Sequence, residues 1–215
     1  MTEPDVTLTN FAITVECAIF CALALRWPAT SPRLRYWWVV FFASIGVGSL
    51  LGGIVHGFFN EPSPTNATLW RATLLLLGMT TLATWTIGAY LQLREPVAAW
   101  VRGAAIALVV VYTAVVLFVN STFLVAIVAY VPATVFLLVA MILAYRRAPS
   151  RSLAYAIAGL FLTFAAATVQ QLRVSIHPVY LNHNALYHLM QGIALFLIFL
   201  GARWTTTMPV TRSAT

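Results

Sequence analysis

The sequence predicts an all-α integral membrane protein: seven transmembrane helices in a single domain over residues 1–215, with the N-terminus outside and the C-terminus in the cytoplasm. Three observations predict it. Hydrophobic residues make up 61% of the chain and charged residues 8%, whereas a soluble domain carries roughly a quarter charged residues. The apolar residues fall into seven runs, each close to the length that spans about 30 Å of hydrocarbon at 1.5 Å per residue. The arginines gather in alternate loops, as the positive-inside rule requires of an odd number of spans.

The first run, 8–26, closes on Arg26-Trp27-Pro28, and Ser31-Pro32 completes the break. The second, 36–59, follows Arg33 and Arg35 and stops at Glu61-Pro62-Ser63-Pro64. The third, 69–91, meets Arg94-Glu95-Pro96, and the fourth, 97–118, carries Arg102 near its start and ends at Asn120-Ser121. The fifth, 122–145, runs into Arg146-Arg147 and Ala148-Pro149-Ser150. The sixth, 152–172, leads to the longest and most polar break, Val174 to Asn184, and the seventh, 185–203, ends at Arg203 with Arg212 beyond it. Proline, glycine and short polar residues punctuate helices in this way because they cannot continue the backbone ladder or compete with it. Only Arg71 and Arg173 fall on the side opposite the other arginines. Trp27, Trp37, Trp38, Trp100 and Trp204 cluster on the arginine side and Trp70 on the other, as interfacial belts do. Gly48 and Gly52 form a small-xxx-small pair that permits close helix approach.

Several classes are excluded. All the basic residues are arginine, so no lysine is present to form the Schiff base of a retinal pigment. The formal charge of +7 belongs to arginines anchoring helix ends, not to a nucleic-acid surface. Cys17 and Cys21 lie one turn apart on one helix, read as small buried hydrophobes, and cannot form a normal disulfide. The opening MTEPDVTLTN is acidic and lacks a basic stretch, which argues against a cleaved signal peptide. Asn66-Ala67-Thr68 and Asn120-Ser121-Thr122 match the glycosylation pattern and carry little weight in such short loops. No inverted repeat or broken helix pair points to a transporter.

Ionisable residues at membrane depth are costly and mark functional sites by default. Here they are Glu16, His56, His183 and His188, accompanied by Gln170, Gln171, Asn182, Asn184 and Gln191; His177 falls in the last outer loop. Counting from the arginine of each helix places His56 about 31 Å above Arg35 and His188 about 22 Å above Arg203. Glu16 lies lower, about 15 Å above Arg26, on the expected floor of an outward-opening cavity. Asn184 is a candidate N-cap of the seventh helix. That cap would bring His183 and His188 together in the hydrophobic-staple geometry. With His56 they would make a three-histidine zinc site with one position open for water or substrate.

This pattern resembles the seven-helix membrane hydrolase superfamily of alkaline ceramidases and adiponectin-type receptors, in particular a bacterial branch of such proteins. The segments that carry the resemblance are Leu51-Gly-Gly-Ile-Val-His56-Gly and Asn182-His-Asn-Ala-Leu-Tyr-His188-Leu. The resemblance implies a zinc ion that activates water to hydrolyse a lipid amide. Three departures stand against a full match. The family's first seventh-helix histidine falls on Asn184. Gly52 occupies the position of its serine, with Ser49 nearby. Its third-helix aspartate is missing, and Asn66, Thr68 and Arg71 lie in that region.

The leading expectation is therefore a zinc-dependent membrane hydrolase acting on an amide or ester of a lipid, in a bacterial cytoplasmic membrane. His56, His183 and His188 would hold the metal, Glu16 would be the base, and Gln170, Asn184 and Gln191 would orient the substrate. The alternative is a non-catalytic seven-helix sensor or receptor that binds a metal or ligand at the same place, which the missing serine and aspartate favour. Haem ligation between His56 and His188 is a third reading.

Overall fold

The computed structural model describes residues 1–177 and 180–207. Arg212 lies outside them. Seven helices follow one another: α1 Pro4–Arg26, α2 Pro32–Phe58, α3 Pro64–Gln92, α4 Glu95–Phe118, α5 Phe123–Arg147, α6 Arg151–Gln171 and α7 His183–Thr207. All seven are long and apolar enough to cross a membrane. The expected spans are found, and most helices extend beyond their apolar runs. The first four start on a proline or have one at their second residue. Proline belongs there because its missing N–H is one the first turn cannot use and its φ already suits a helix. Hydropathy reads only the hydrocarbon slab, while the backbone stays helical into the polar layer.

Helices α1, α2, α3, α5, α6 and α7 form a closed ring in which each packs on the next and α7 returns to α1. Helix α4 stands outside, packed on α3 and only thinly on α5. Tyr112 fastens it, its hydroxyl donating to Leu74 O at 2.7 Å. The α1–α2 seam depends on glycines. A β-carbon on Gly46 would stand 2.9 Å from Cys17 Cβ, and one on Gly53 would stand 2.7 Å from the Phe11 ring. Gly48, expected to share this role with Gly52, faces α3 instead, with Leu76 Cβ as its nearest neighbour.

The two halves of the bundle differ. Toward the arginine end the interior is solid. Phe20 stacks on Phe199 with centroids 4.2 Å apart, and Trp38, Phe41, Phe42, Leu137, Met141, Leu153 and Ile198 fill the space around them. Trp38 Nε1 donates to Thr205 Oγ1 at 3.0 Å. At the opposite end, called here the histidine end, the ring is wider and encloses a cavity.

Candidate functional site

The cavity has a volume of about 260 Å³ and receives side chains from all six ring helices but none from α4. Asn10 comes from α1, Ser49 and His56 from α2, Trp70, Thr73 and Thr80 from α3, Tyr130 and Thr134 from α5, Thr163 and Gln170 from α6, and Asn184, Tyr187, His188 and Gln191 from α7. Of the seven residues expected to build the site, five line this one space: His56, His188, Gln170, Asn184 and Gln191. Among the described residues, no aspartate, glutamate or arginine does so.

Both imidazoles are held from the N-terminal end of the chain, His56 by the residue before α1 and His188 by α1 itself. The chain before α1 runs along the end of α2, where Thr2 N and Glu3 N donate to Gly57 O and His56 O. This places the Glu3 carboxylate 2.5 Å from His56 Nδ1. A carboxylate accepts there, so Nδ1 of His56 carries the hydrogen and its Nε2 is a bare acceptor while the ring is neutral. His188 Nδ1 lies 3.3 Å from Thr9 Oγ1 and 3.4 Å from Asn10 Nδ2. Thr9 commits its own hydrogen to Asp5 O and Val6 O, so toward His188 it accepts, whereas the Asn10 amide donates. One tautomer of His188 suits each partner, and its Nε2 can therefore serve as donor or acceptor.

Gln191 closes the deep side. It is 7% exposed, and its Oε1 is buried without a hydrogen-bond partner. The amide's orientation follows from its neighbour. Thr163 Oγ1 donates to Gly159 O at 3.1 Å, so it can only accept from Gln191 Nε2, 3.5 Å away. An orphaned buried acceptor costs about 1–3 kcal/mol. Few native groups are left so, and Gln191 is also one of the residues that line the cavity.

Two expected members of the site stand elsewhere. Glu16 is not a floor residue; its side chain lies in a groove between α1 and α7 with Phe11, Val15 and Phe196. Counting along the helix gives height but not azimuth. Six residues beyond the cavity-lining Asn10, at 100° each, Glu16 is turned well away from it. His183 is not among the cavity's lining residues either. The N-cap of α7 is Asn182 rather than Asn184, its Oδ1 accepting from Asn184 N at 2.9 Å and Ala185 N at 3.0 Å. His183 is then the first helical residue, and the staple pairing with His188 is lost. Asn184, freed from capping, turns inward and accepts from Gln170 Nε2 at 3.4 Å. His177 folds into its own loop, pairing its backbone with Leu181 and stacking on Tyr180 with centroids 4.8 Å apart.

The donor set does not fit a three-histidine zinc centre. Among the described residues, no three histidine, cysteine, aspartate or glutamate side chains gather closely enough to hold a metal ion. The third-helix residues at the family's aspartate region are turned to local backbone: Asn66 Nδ2 donates to Phe59 O at 2.5 Å and Thr68 Oγ1 to Pro64 O at 2.8 Å. Sequence reasoning missed Glu3, Asn10, Tyr130 and Tyr187. Asn10 and Tyr130 stand out in apolar helices and were there to be noticed, whereas Glu3 precedes the first apolar run and carries no signal of its own.

Ring and cavity together define a polytopic membrane protein with a polar pocket in one half of its bundle. The chain belongs to a family of unknown function, DUF6962, whose family model matches residues 6–206 and so takes in all seven helices. No curated protein and no solved structure matches the chain.

Proposed function

We propose that this protein is a non-catalytic seven-helix receptor or sensor that binds the polar part of a lipid or lipid-derived molecule inside the bundle. The observation that carries this reading is the polar lining of the cavity, where Gln191 leaves its buried Oε1 without a partner and His56, its Nδ1 held by Glu3, keeps Nε2 as an acceptor while neutral. Such a wall asks for hydrogen-bond donors. With no arginine among its lining residues, it offers a carboxylate or phosphate no fixed counter-charge. The volume is slightly below the usual 300–1,000 Å³ of small-molecule sites, which suits a headgroup or small polar body rather than an entire lipid. The histidine end faces outward in this reading, since the opposite end bears most of the arginines.

The test is native mass spectrometry of the detergent-purified protein after incubation with a total membrane lipid extract. A retained species of defined mass is expected, lost in Gln191→Leu and in His56→Ala. Retention of the same species by both variants would overturn the reading.

The second reading is the zinc-dependent lipid hydrolase. What favours it is that His56 and His188 line one cavity, each with Nδ1 engaged from the N-terminal end of the chain. An orienting partner on the far nitrogen is the usual support of a metal-bound imidazole. It needs a third protein donor that the described residues do not bring there. Elemental analysis separates the two. Stoichiometric zinc that disappears in His56→Ala, with lipid hydrolysis, selects the hydrolase over the receptor.

A further inference from the structure

Glu16 lies outside the cavity, and its surroundings identify a second site. It is twelve residues beyond Pro4 and ten before Arg26, which places it about 18 Å and 15 Å from the two ends of α1, near mid-membrane. Around it, α1 and α7 form a groove of about 630 Å³ lined by Leu8, Phe11, Val15, Ile19 and Phe196. Leu8, Val15, Ile19 and Phe196 are all exposed on the outer face of the bundle. Gly192 of α7 leaves room for the carboxylate, since a β-carbon there would stand 3.3 Å from Glu16 Oε2. Among the described residues the carboxylate has no hydrogen bond and no ion pair.

A carboxyl facing hydrocarbon at this depth is costly and normally meets a complementary group. The chain cannot supply one. Among the described residues, every arginine lies in a loop or near a helix end and there is no lysine, so the described part of a second copy packed on this groove brings no such cation to mid-membrane. A bilayer lipid keeps its charged headgroup at the interface.

We propose that the groove seats a transmembrane helix of a partner protein that carries one basic residue at mid-span. Its ammonium or guanidinium pairs with Glu16 while its apolar flanks pack along Phe11, Val15 and Phe196. The groove is shaped by α1 and α7 alone and does not depend on occupancy of the cavity.

The full chain, reconstituted in phosphatidylcholine vesicles and labelled with a fluorescent donor at its N-terminus, tests this against two acceptor-labelled synthetic spans. One is all leucine; the other has a single central arginine. The arginine span is expected to associate about tenfold more tightly, as one intramembrane polar pair permits. That preference is expected to vanish in Glu16→Gln, to persist in Glu16→Asp, and to vanish in Ala12→Trp, since Ala12 also lines the groove and a large side chain there fills it while leaving the carboxylate in place. Equal association of the two spans with the unmodified chain overturns the proposal, as does an arginine preference that survives Glu16→Gln. Energy transfer between donor- and acceptor-labelled copies of the chain, lost in Glu16→Gln, identifies a second copy as the occupant and overturns it equally.

Discussion

At the scale of single residues, the cavity contains a group whose removal separates stability from binding. Gln191 Oε1 is buried and unpartnered, and the amide's one hydrogen bond, to Thr163 Oγ1, is long at 3.5 Å, so an apolar side chain of similar size removes an unmet acceptor at the cost of one weak bond. Gln191→Leu is therefore expected to raise the melting temperature of the purified protein or leave it unchanged, by the equivalent of about 0–1 kcal/mol, while weakening retention of the bound species. A melting temperature lowered by several degrees would mean that the amide is structural. Glu3 acts differently, through the ring it orients. Glu3→Gln keeps the shape but frees His56 to present either nitrogen, and the glutamine can donate as well as accept. Ligand affinity is expected to fall by about tenfold, measured by titration of the reconstituted protein, with the helix content seen by circular dichroism unchanged. An affinity equal to that of the unmodified chain would remove Glu3 from the site.

At the scale of helices, the α6–α7 pair is the most closely locked in the bundle. A β-carbon on Gly201 would collide with Ala156 Cβ, and one on Gly159 would stand 2.6 Å from the backbone oxygen of Ala194. Backbone cannot step aside, so Gly159→Ala and Gly201→Ala are each expected to cost about 1–3 kcal/mol through overpacking. Gly103 on the exposed face of α4 meets nothing within 4 Å, and Gly103→Ala is expected to be neutral or stabilising by up to about 1 kcal/mol. Thermal denaturation in detergent measures all three, and equal behaviour of Gly103→Ala and Gly201→Ala would contradict the packing described. The same elements mark what the sequence makes legible. Their existence and length follow from apolar runs and proline punctuation, because both depend on the chain alone. The partner of each glycine does not follow, because it depends on which helix lies opposite. Gly48 and Gly52 look like one seam in sequence, yet Gly48 turns to α3 and Gly52 to Asn10 of α1. The α7 cap failed for a related reason. Asn182 and Asn184 are equally good caps by residue type, and the preceding loop decides between them, with Asp5 Oδ2 accepting from Asn182 N at 3.2 Å. With that choice goes the placing of His183, whereas depth and polarity alone select His56, His188, Gln170, Asn184 and Gln191, which line the cavity.

At the scale of the whole molecule, charge asymmetry and cavity position are linked. Among the described residues, Arg71 and Arg173 are the only arginines toward the histidine end, while Arg33 and Arg102 at the other end share Glu95, at 3.3 Å and 3.2 Å. Loop arginines near span ends resist translocation, so the proposed orientation, with the solid, aromatic-filled half on the cytoplasmic side and the cavity in the outer half, is the expected one. Alkaline phosphatase, active only after export, reads this directly when fused to successive truncations. Fusions in the loops after Phe58, Phe118 and Gln171 are expected to be active, and those after Arg26, Gln92, Arg147 and Thr207 inactive. The inverse pattern would place the cavity toward the cytoplasm, and a ligand would then arrive from the inner leaflet. A mixed pattern would break the alternation on which a seven-span arrangement depends. The expected pattern also constrains the groove at Glu16. Lying near the centre of α1, that carboxylate is almost equally far from both surfaces whichever way the bundle is inserted. Reversal would therefore change the side from which the cavity is filled and leave the proposed helix seat at the same depth.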